Sequence, residues 1–380
     1  MAARLEGHIL TADGFVEGTL EHEVGRITAL RGKPVADERV VRDGARHIVL
    51  PGFVDLHVHG GGGHDVMDGA DAACAVARRH AAHGTTSMLA TTMTAPLEEV
   101  EAALAALGPL VREGAVRAPG SARWLGIHLE GPYLSPQRLG AQPSFARRAT
   151  LAEVQALHAL APIRVITLAP ETEGALALIP ALVQAGLRVQ VGHSAASFEQ
   201  ACSALQAGAS GFTHLFNAMS GLHHREPGLA GAALAHAQRA EIIPDLQHVH
   251  AGAIRAALRA IPGLYCVTDS TSAAGMPDGD YRLGRHVVTK CLGAVRLADG
   301  TLAGSALTMD QALRNLVEVL GLSIAEASRR TSTIAAGHAG AQGRGVLCPG
   351  AFADLVVLDR TLRVQQVVVE GETVSPPPHS

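Results

Sequence analysis

Between residues 50 and 270, eight short β-rich runs, each closing on polar residues, alternate with alanine-rich stretches of helical spacing. No other property restricts the fold so strongly. Strands that alternate with helices pair in parallel, because each helix carries the chain back along the sheet before the next strand begins. The runs are FVDLHVH from Phe53, TTSMLATT from Thr85, WLGIHLEG from Trp124, IRVITLAPE from Ile163, LRVQVGHS from Leu187, SGFTHLFN from Ser210, EIIPDLQH from Glu241 and LYCVTDS from Leu264. Eight is the number that closes a (β/α)8 TIM barrel, so the expected class is α/β with that barrel as its main body.

The intervening stretches DAACAVARRHAAHG, LEEVEAALAAL, GALALIPALVQAG, SFEQACSALQAG and GAIRAALRAI read as helices. Several stop at glycine, as at Gly84, Gly186 and Gly208, where a left-handed cap costs little. In GSALTMDQALRNLVEVLG, the residues Met309, Ala312, Leu313, Leu316, Val317 and Leu320 form one apolar stripe, which reads as core. The two ends are different, with short alternating segments such as FADLVVLD and VQQVVVEGETV and with DG and EG turns. Neither end holds enough residues for a core of its own. The expected division is therefore a small β-sandwich formed jointly by residues 1–50 and 345–380, and a barrel over 51–344. The tail SPPPHS is expected to be disordered.

Composition narrows the function. A chain of 380 residues with 47% hydrophobic content can bury a large core, and a net charge of −4 with scattered Lys and Arg argues against nucleic acid or an anionic membrane as partner. Five dispersed cysteines without a CxxC pair read as reduced thiols, and no signal-like or 18-residue apolar run is found, so a cytoplasmic protein with a small-molecule partner is expected. Aromatic residues make up only 3%, yet there are 20 histidines. Packing alone does not explain that imbalance.

The histidines and acids fall at the C-terminal ends of the expected strands, which in a barrel converge on the face that carries active sites. His57 and His59 close the first strand at an i, i+2 spacing that puts both imidazoles on one side. Glu130 closes the third, His193 the fifth, His214 the sixth and Asp269 the eighth. Each alone has an ordinary reading as a hydrogen-bonded histidine or a helix cap. Together, four histidines and two carboxylates on one rim form a metal site, with nitrogen and oxygen ligands suited to zinc, iron, cobalt or manganese. His8, His22, His47, His158, His236, His286 and His338 have no partner spacing, and His250 reads as a solvated helix-start residue. His64 is a possible loop contact, and the GGGG run beside it lacks the Lys and Ser/Thr of a phosphate loop and reads as a flexible lip over the metal face.

The segments PGFVDLHVHG, GIHLEGPYLSP, VGHSAAS, THLFNAMSGLHHREPGLAG, VTDSTSAAGMPDG and LAGSALTM resemble the N-acetylglucosamine-6-phosphate deacetylase family of the amidohydrolase superfamily, over residues 50 to 320. HLEGP, THLFNAM and REPGLAG in that order are specific to the family. The resemblance implies a metal-dependent barrel that hydrolyses the acetamide of an amino-sugar phosphate, with metal-activated water as nucleophile. It implies a homodimer as well. Carried over motif by motif, Glu130, His193 and His214 hold the main divalent metal and Asp269 is the general base and acid. Because this chain keeps His57 and His59, a second metal bridged by Glu130 is expected, giving one or two ions per subunit, zinc first among the candidates. Arg225 corresponds to a phosphate-binding arginine supplied across the dimer, Asn217 and Ala218 to a side-chain amide and a backbone N–H on the same phosphate, His248 to a sugar contact, and the backbone of Leu302, Ala303 and Gly304 to the border of the acetyl group. Without the family, Arg225 reads as half of a surface ion pair with Glu226. Ala141 and Gln142 occupy the loop that contacts the sugar or carbonyl, and Gln142 departs from the histidine many members carry there. Glutamine can donate a hydrogen bond but cannot be charged. Three alternatives stay open: a deacetylase of the galactosamine epimer, an amidohydrolase acting on another amide, and an inactive barrel that serves as a binding module.

Overall fold

The computed structural model describes residues 3–374, so the SPPPHS tail lies outside the described residues. All eight expected strands are present, at Phe53–Val58, Thr85–Thr91, Arg123–Glu130, Ile163–Leu168, Arg188–Val191, Gly211–Phe212, Arg239–Ile242 and Gly263–Cys266. The first six form one parallel sheet in chain order and the last two pair in parallel. The Leu215 amide donates to Glu241 O at 2.9 Å, between the sixth and seventh strands. At the other end the Asp269 amide donates to His57 O at 2.9 Å and the His59 amide to Ser270 O at 3.0 Å, which sets the eighth strand beside the first. The sheet is curled, and the loops after both its first and last strands lie together.

A helix follows every strand. The five expected ones are found at Ala70–Ala82, Leu97–Val111, Ala175–Gln184, Phe198–Gln206 and Ala251–Ala260. Two more, Leu151–Leu160 and Gly228–His236, complete the series after the third and sixth strands. The stripe from Met309 to Leu320 is buried throughout. Its helix changes at Asn315 to a wider winding, with the Leu320 amide reaching Asn315 O five residues back at 3.0 Å.

The two chain ends meet in one seven-stranded sheet, in the order Glu372–Val374, Val364–Val369, Leu355–Leu358, Ile48–Pro51, Ala3–Thr11, Gly14–Glu23, Arg26–Pro34. Alternation gives it two apolar faces. Ile9, Leu20, Ile27, Val49, Leu355, Val357 and Val368 fill a core of their own, while Leu10, Phe15, Ile48, Leu50, Val356, Leu358 and Val367 join the main core. The segment before Leu355 folds back to the far edge strand, where the Ile27 amide donates to Ala351 O and the Ala353 amide to Gly25 O, both at 2.9 Å. The layers of this part thus come from a single sheet bent on itself.

One element lies outside the sequence expectation. Between the eighth strand and its helix, Gly279–Leu283, His286–Cys291, Ala294–Arg296 and Leu302–Ser305 make a four-stranded antiparallel meander with its own small core of Leu283, Val288, Val295 and Ala303 against Met93. The glycine run also differs from the flexible lip expected of it. Gly60 and Gly61 are buried in a tight hairpin with His64 and Asp65, and a Cβ on Gly60 would stand 2.5 Å from His64 O and 2.6 Å from Ser272 N. Close backbone approach, not freedom, requires glycine there. Among the described residues no helix is long and apolar enough to cross a membrane, and all five cysteines are unpaired.

Candidate metal centre and its cleft

The strand ends bring His57, His59, Glu130, His193, His214 and Asp269 into one buried cluster. Three of the six sit where the chain leaves a strand in the left-handed region, at φ 46° for His193, 28° for His214 and 49° for Asp269. Such backbones are strained for residues with a Cβ and persist where the surroundings over-determine them, as at functional sites. At Gly192 a Cβ would meet the Thr213 Cβ at 2.6 Å, so only glycine lets the fifth strand turn into His193 against the sixth.

Two sets of donor atoms share Glu130. Its Oε1 stands 3.2 Å from His193 Nε2 and 3.0 Å from His214 Nε2, and those two nitrogens are 3.0 Å apart. In the second set His57 Nε2 and His59 Nε2 are 3.2 Å apart, with Asp269 Oδ1 at 3.5 and 3.2 Å from them respectively. Glu130 reaches this set too, Oε1 at 3.4 Å from His57 and Oε2 at 3.2 Å from His59. Donors at about 2.0–2.2 Å from a tetrahedral ion stand roughly 3.3–3.6 Å apart, so both sets have separations at or just inside those of a cation's ligands.

The far ring nitrogens support the same assignment. His59 Nδ1 faces Thr91 O at 3.1 Å and His193 Nδ1 faces Arg138 O at 2.9 Å; a carbonyl only accepts, so each Nδ1 carries a proton and leaves Nε2 to the cluster. His57 Nδ1 donates to Glu241 Oε2 at 3.0 Å. The residues therefore fit a divalent metal, and Glu130 fits a bridging ligand.

Without a cation the cluster holds protons. Burial works against charge on His57 and His59, yet the carboxylates of Glu130 and Asp269 prevail, lifting His57 well above the usual imidazole value and His59 to about 9. Burial would likewise raise Glu130 and Asp269, but the facing imidazolium charges, His57 foremost, hold both below the usual carboxylate range. Opposed acids and bases at these distances are what a cation displaces protons from. His128, also fully buried, is pushed down to about 3 by burial, with the charge on His57 adding to that, and both its nitrogens are engaged, at Leu56 O and Thr167 Oγ1, so it stays neutral and structural.

Over the cluster opens a cleft of about 220 Å³, lined by His59, Glu130, His193, His214 and Asp269 together with Ala141, Gln142, Asn217, Ala218, His248, Leu302 and Gly304. His57 lies beneath it, fully buried. Leu302 and Gly304 line the cleft, while the Ala303 methyl is buried in the core of the meander and leaves only its backbone to the expected border. Arg225 is exposed in a separate groove with Ser197, Ser220 and Pro227, its Nη1 2.8 Å from His224 Nε2, and among the described residues it forms no ion pair with Glu226. The chain does not bring it to its own cleft. His250 caps the helix from Ala251, accepting from the Gly252 amide at 3.1 Å, as expected of a helix-start residue.

Gln142 has a more definite place than a sugar contact. Its Nε2 donates to Glu130 Oε2 and its Oε1 accepts from the Thr94 amide, both at 2.7 Å, and it is 7% exposed. Four residues escaped the sequence reading. Asp245 holds His248, accepting from its Nδ1 at 2.7 Å, and the i, i+3 spacing within DLQH was a signal for it. Met93 and Leu283 line the cleft from the second strand's loop and the meander. Glu241, at the start of a run scored only as strand, is fully buried below His57.

The amidohydrolase family profile matches residues 48–374. An N-acetylgalactosamine-6-phosphate deacetylase of Escherichia coli O157:H7 is 42% identical over 379 residues, covering 97% of each chain. An N-acetylglucosamine-6-phosphate deacetylase of Bacillus subtilis is 37% identical, covering 94% of this chain and 92% of its own. Among solved structures, a mutant N-acetyl-D-glucosamine-6-phosphate deacetylase of Mycobacterium smegmatis in complex with N-acetyl-D-glucosamine-6-phosphate superposes with a TM-score of 0.89 at 35% identity, over 98% of this chain and 99% of that one.

Proposed function

Because the chain belongs to the amidohydrolase family, we propose that it hydrolyses the acetamide of N-acetylglucosamine-6-phosphate to glucosamine-6-phosphate and acetate. The observation that carries this reading is the convergence of Glu130, His193, His214, His57, His59 and Asp269 beneath one cleft. In this reading the eight parallel strands close as a (β/α)8 barrel over 51–344, and residues 1–50 with 345–380 form the small β-sandwich.

Glu130, His193 and His214 would hold the main divalent cation, with zinc first among zinc, iron, cobalt and manganese; His57 and His59 would hold a second, with Glu130 shared between them. A cation bound there supplies Lewis-acid polarisation of the acetyl carbonyl and acidifies water from a pKa of about 15.7 towards 7. Asp269, held ionised by the imidazoles around it, takes the proton of the attacking water. It then returns that proton to the sugar nitrogen, which cannot leave as an amide anion. His248, steadied by Asp245, turns its free nitrogen to the sugar. The backbone of Leu302, Ala303 and Gly304 borders the acetyl end, Ala141 and Gln142 the opposite wall, and Asn217 with Ala218 meets the phosphate. Arg225 of a second copy completes the phosphate site in a homodimer, consistent with its distance from the cleft of its own chain. The protein works in the cytoplasm.

The identity to the Escherichia coli protein favours a second reading, the galactosamine epimer. Acetate release by metal-loaded protein, compared for both phosphorylated epimers and unphosphorylated N-acetylglucosamine, tests both readings. Preference for the phosphorylated glucosamine sustains the first, preference for its epimer replaces it with the second, and equal rates on the unphosphorylated sugar overturn both.

A further inference from the structure

Beneath the cluster, four donors meet on one fully buried carboxylate. Glu241 Oε2 accepts from His57 Nδ1 at 3.0 Å and from the His214 amide at 3.1 Å; its Oε1 accepts from Gln190 Nε2 at 2.9 Å and from Tyr265 Oη at 3.3 Å. A charge removed from water is costly unless paired and fully hydrogen-bonded. Here the group that can answer the charge is the imidazole of His57, itself fully buried. The chemistry at both oxygens is one-sided. Every neighbour donates, and among side chains only an ionised carboxylate accepts at both ends without presenting a donor. A glutamine of the same shape would set its NH2 against two N–H groups or against Gln190 and Tyr265.

We propose that Glu241 is the positioning residue of the second cation site: it fixes the proton of His57 on Nδ1, aims Nε2 at His59 and Asp269, and ties that histidine to the backbone that presents His214. The proposal rests on the reading that His57 and His59 bind a cation. Glu241 touches neither the cleft nor any of the donor atoms that face it, and acts through the ring. A carboxylate behind a ligand histidine raises the basicity of the ligating nitrogen, and loss of such a partner typically lowers metal affinity 10- to 100-fold. The main site should be affected less, because His193 keeps Arg138 O and Glu130 keeps Gln142, and at His214 the carboxylate meets only the backbone amide and not the ligating ring.

The test is a titration of metal-free wild type and Glu241→Gln with Zn²⁺ alone, against a chromophoric chelator, with thermal unfolding alongside. Two equivalents in wild type, with the first affected less in the variant and the second weakened 10- to 100-fold, is the expected result. An unchanged second affinity overturns the role of Glu241. Equal weakening of both equivalents also overturns it, because a structural residue would do that. A single equivalent in wild type instead removes the second-site reading on which the proposal stands. Should the variant not fold, ¹⁵N-imidazole spectra of metal-free wild type decide: a strongly downfield Nδ1 proton that disappears in His57→Gln is expected, and its absence overturns the proposal.

Discussion

Replacing Gln142 with leucine separates two roles for that residue by magnitude. The two side chains are close in volume, so the cavity contribution is small. What is lost is a pair of 2.7 Å hydrogen bonds in a place that solvent barely reaches. The Thr94 amide is left without its acceptor, at a cost of about 1–3 kcal/mol, and Glu130 Oε2 loses a bond to a charged acceptor, about 1.5–3 kcal/mol. Burial is not complete and water recovers part of this, so the metal-free protein should lose about 2–5 kcal/mol, measured by urea unfolding. Glu130 also loses the partner that stops its carboxylate rotating, so metal affinity should fall about 10- to 100-fold by chelator competition. With saturating metal, KM should change less than about threefold, because both ends of the amide serve the protein. A KM raised tenfold or more, with stability and metal affinity unchanged, would refute this reasoning and return Gln142 to the sugar.

Other outcomes follow from charge. His80 and His338 are buried and pushed down to about 4 by desolvation, so between pH 6.5 and 4 the unfolded chain binds more protons than the folded one. Their contribution is fully present above pH 6.5 and is lost on acidification, at up to about 1.4 kcal/mol per pH unit for each group. In the metal-free protein His59 acts oppositely. Burial opposes its charge but Asp269 and Glu130 raise it to about 9, so its contribution is complete below 6.5 and lost as pH rises through 9. Urea midpoints of metal-free protein should therefore peak near pH 6.5, and saturating metal should remove the alkaline limb; a flat profile over pH 5–9 would contradict these protonation states. Arg225→Ala should raise KM for the phosphorylated sugar about 10- to 100-fold, the worth of a charge-assisted contact of about 1.5–3 kcal/mol, and leave the unphosphorylated sugar unaffected. Equal effects on both sugars would remove its phosphate role.

The strands and the rim were legible because both depend on short-range order. Each strand is a compact apolar run, and residues that end a strand in a parallel α/β fold point to one face whatever the loops do. The helices at Leu151–Leu160 and Gly228–His236 were not, the second because two glycines and a motif obscure its periodicity. The meander after Asp269 had turn signals at Leu283-Gly284, Leu292-Gly293 and Asp299-Gly300, yet its strands are short and half-exposed, so their alternation is weak. Glu241 and the locked amide of Gln142 illustrate a different limit. Their partners, His57 and Glu130, are 184 and 12 residues away, and nothing in local spacing reveals that four donors will meet on one carboxylate.

The central claim is that Asp269 moves the proton while the metal cluster beneath the cleft stays intact, and Asp269→Asn tests it most directly. Asparagine tolerates the φ of 49°, and the backbone bonds of this residue, to His57 O at 2.9 Å and from the Ser305 amide at 2.7 Å, do not use the side chain. The measurement is acetate release from N-acetylglucosamine-6-phosphate by metal-loaded variant and wild type. The account predicts a fall of about 10²- to 10⁴-fold in kcat with KM within a few-fold and the main-site metal retained. A loss under tenfold, or a metal-loaded wild type that releases no acetate, would contradict it.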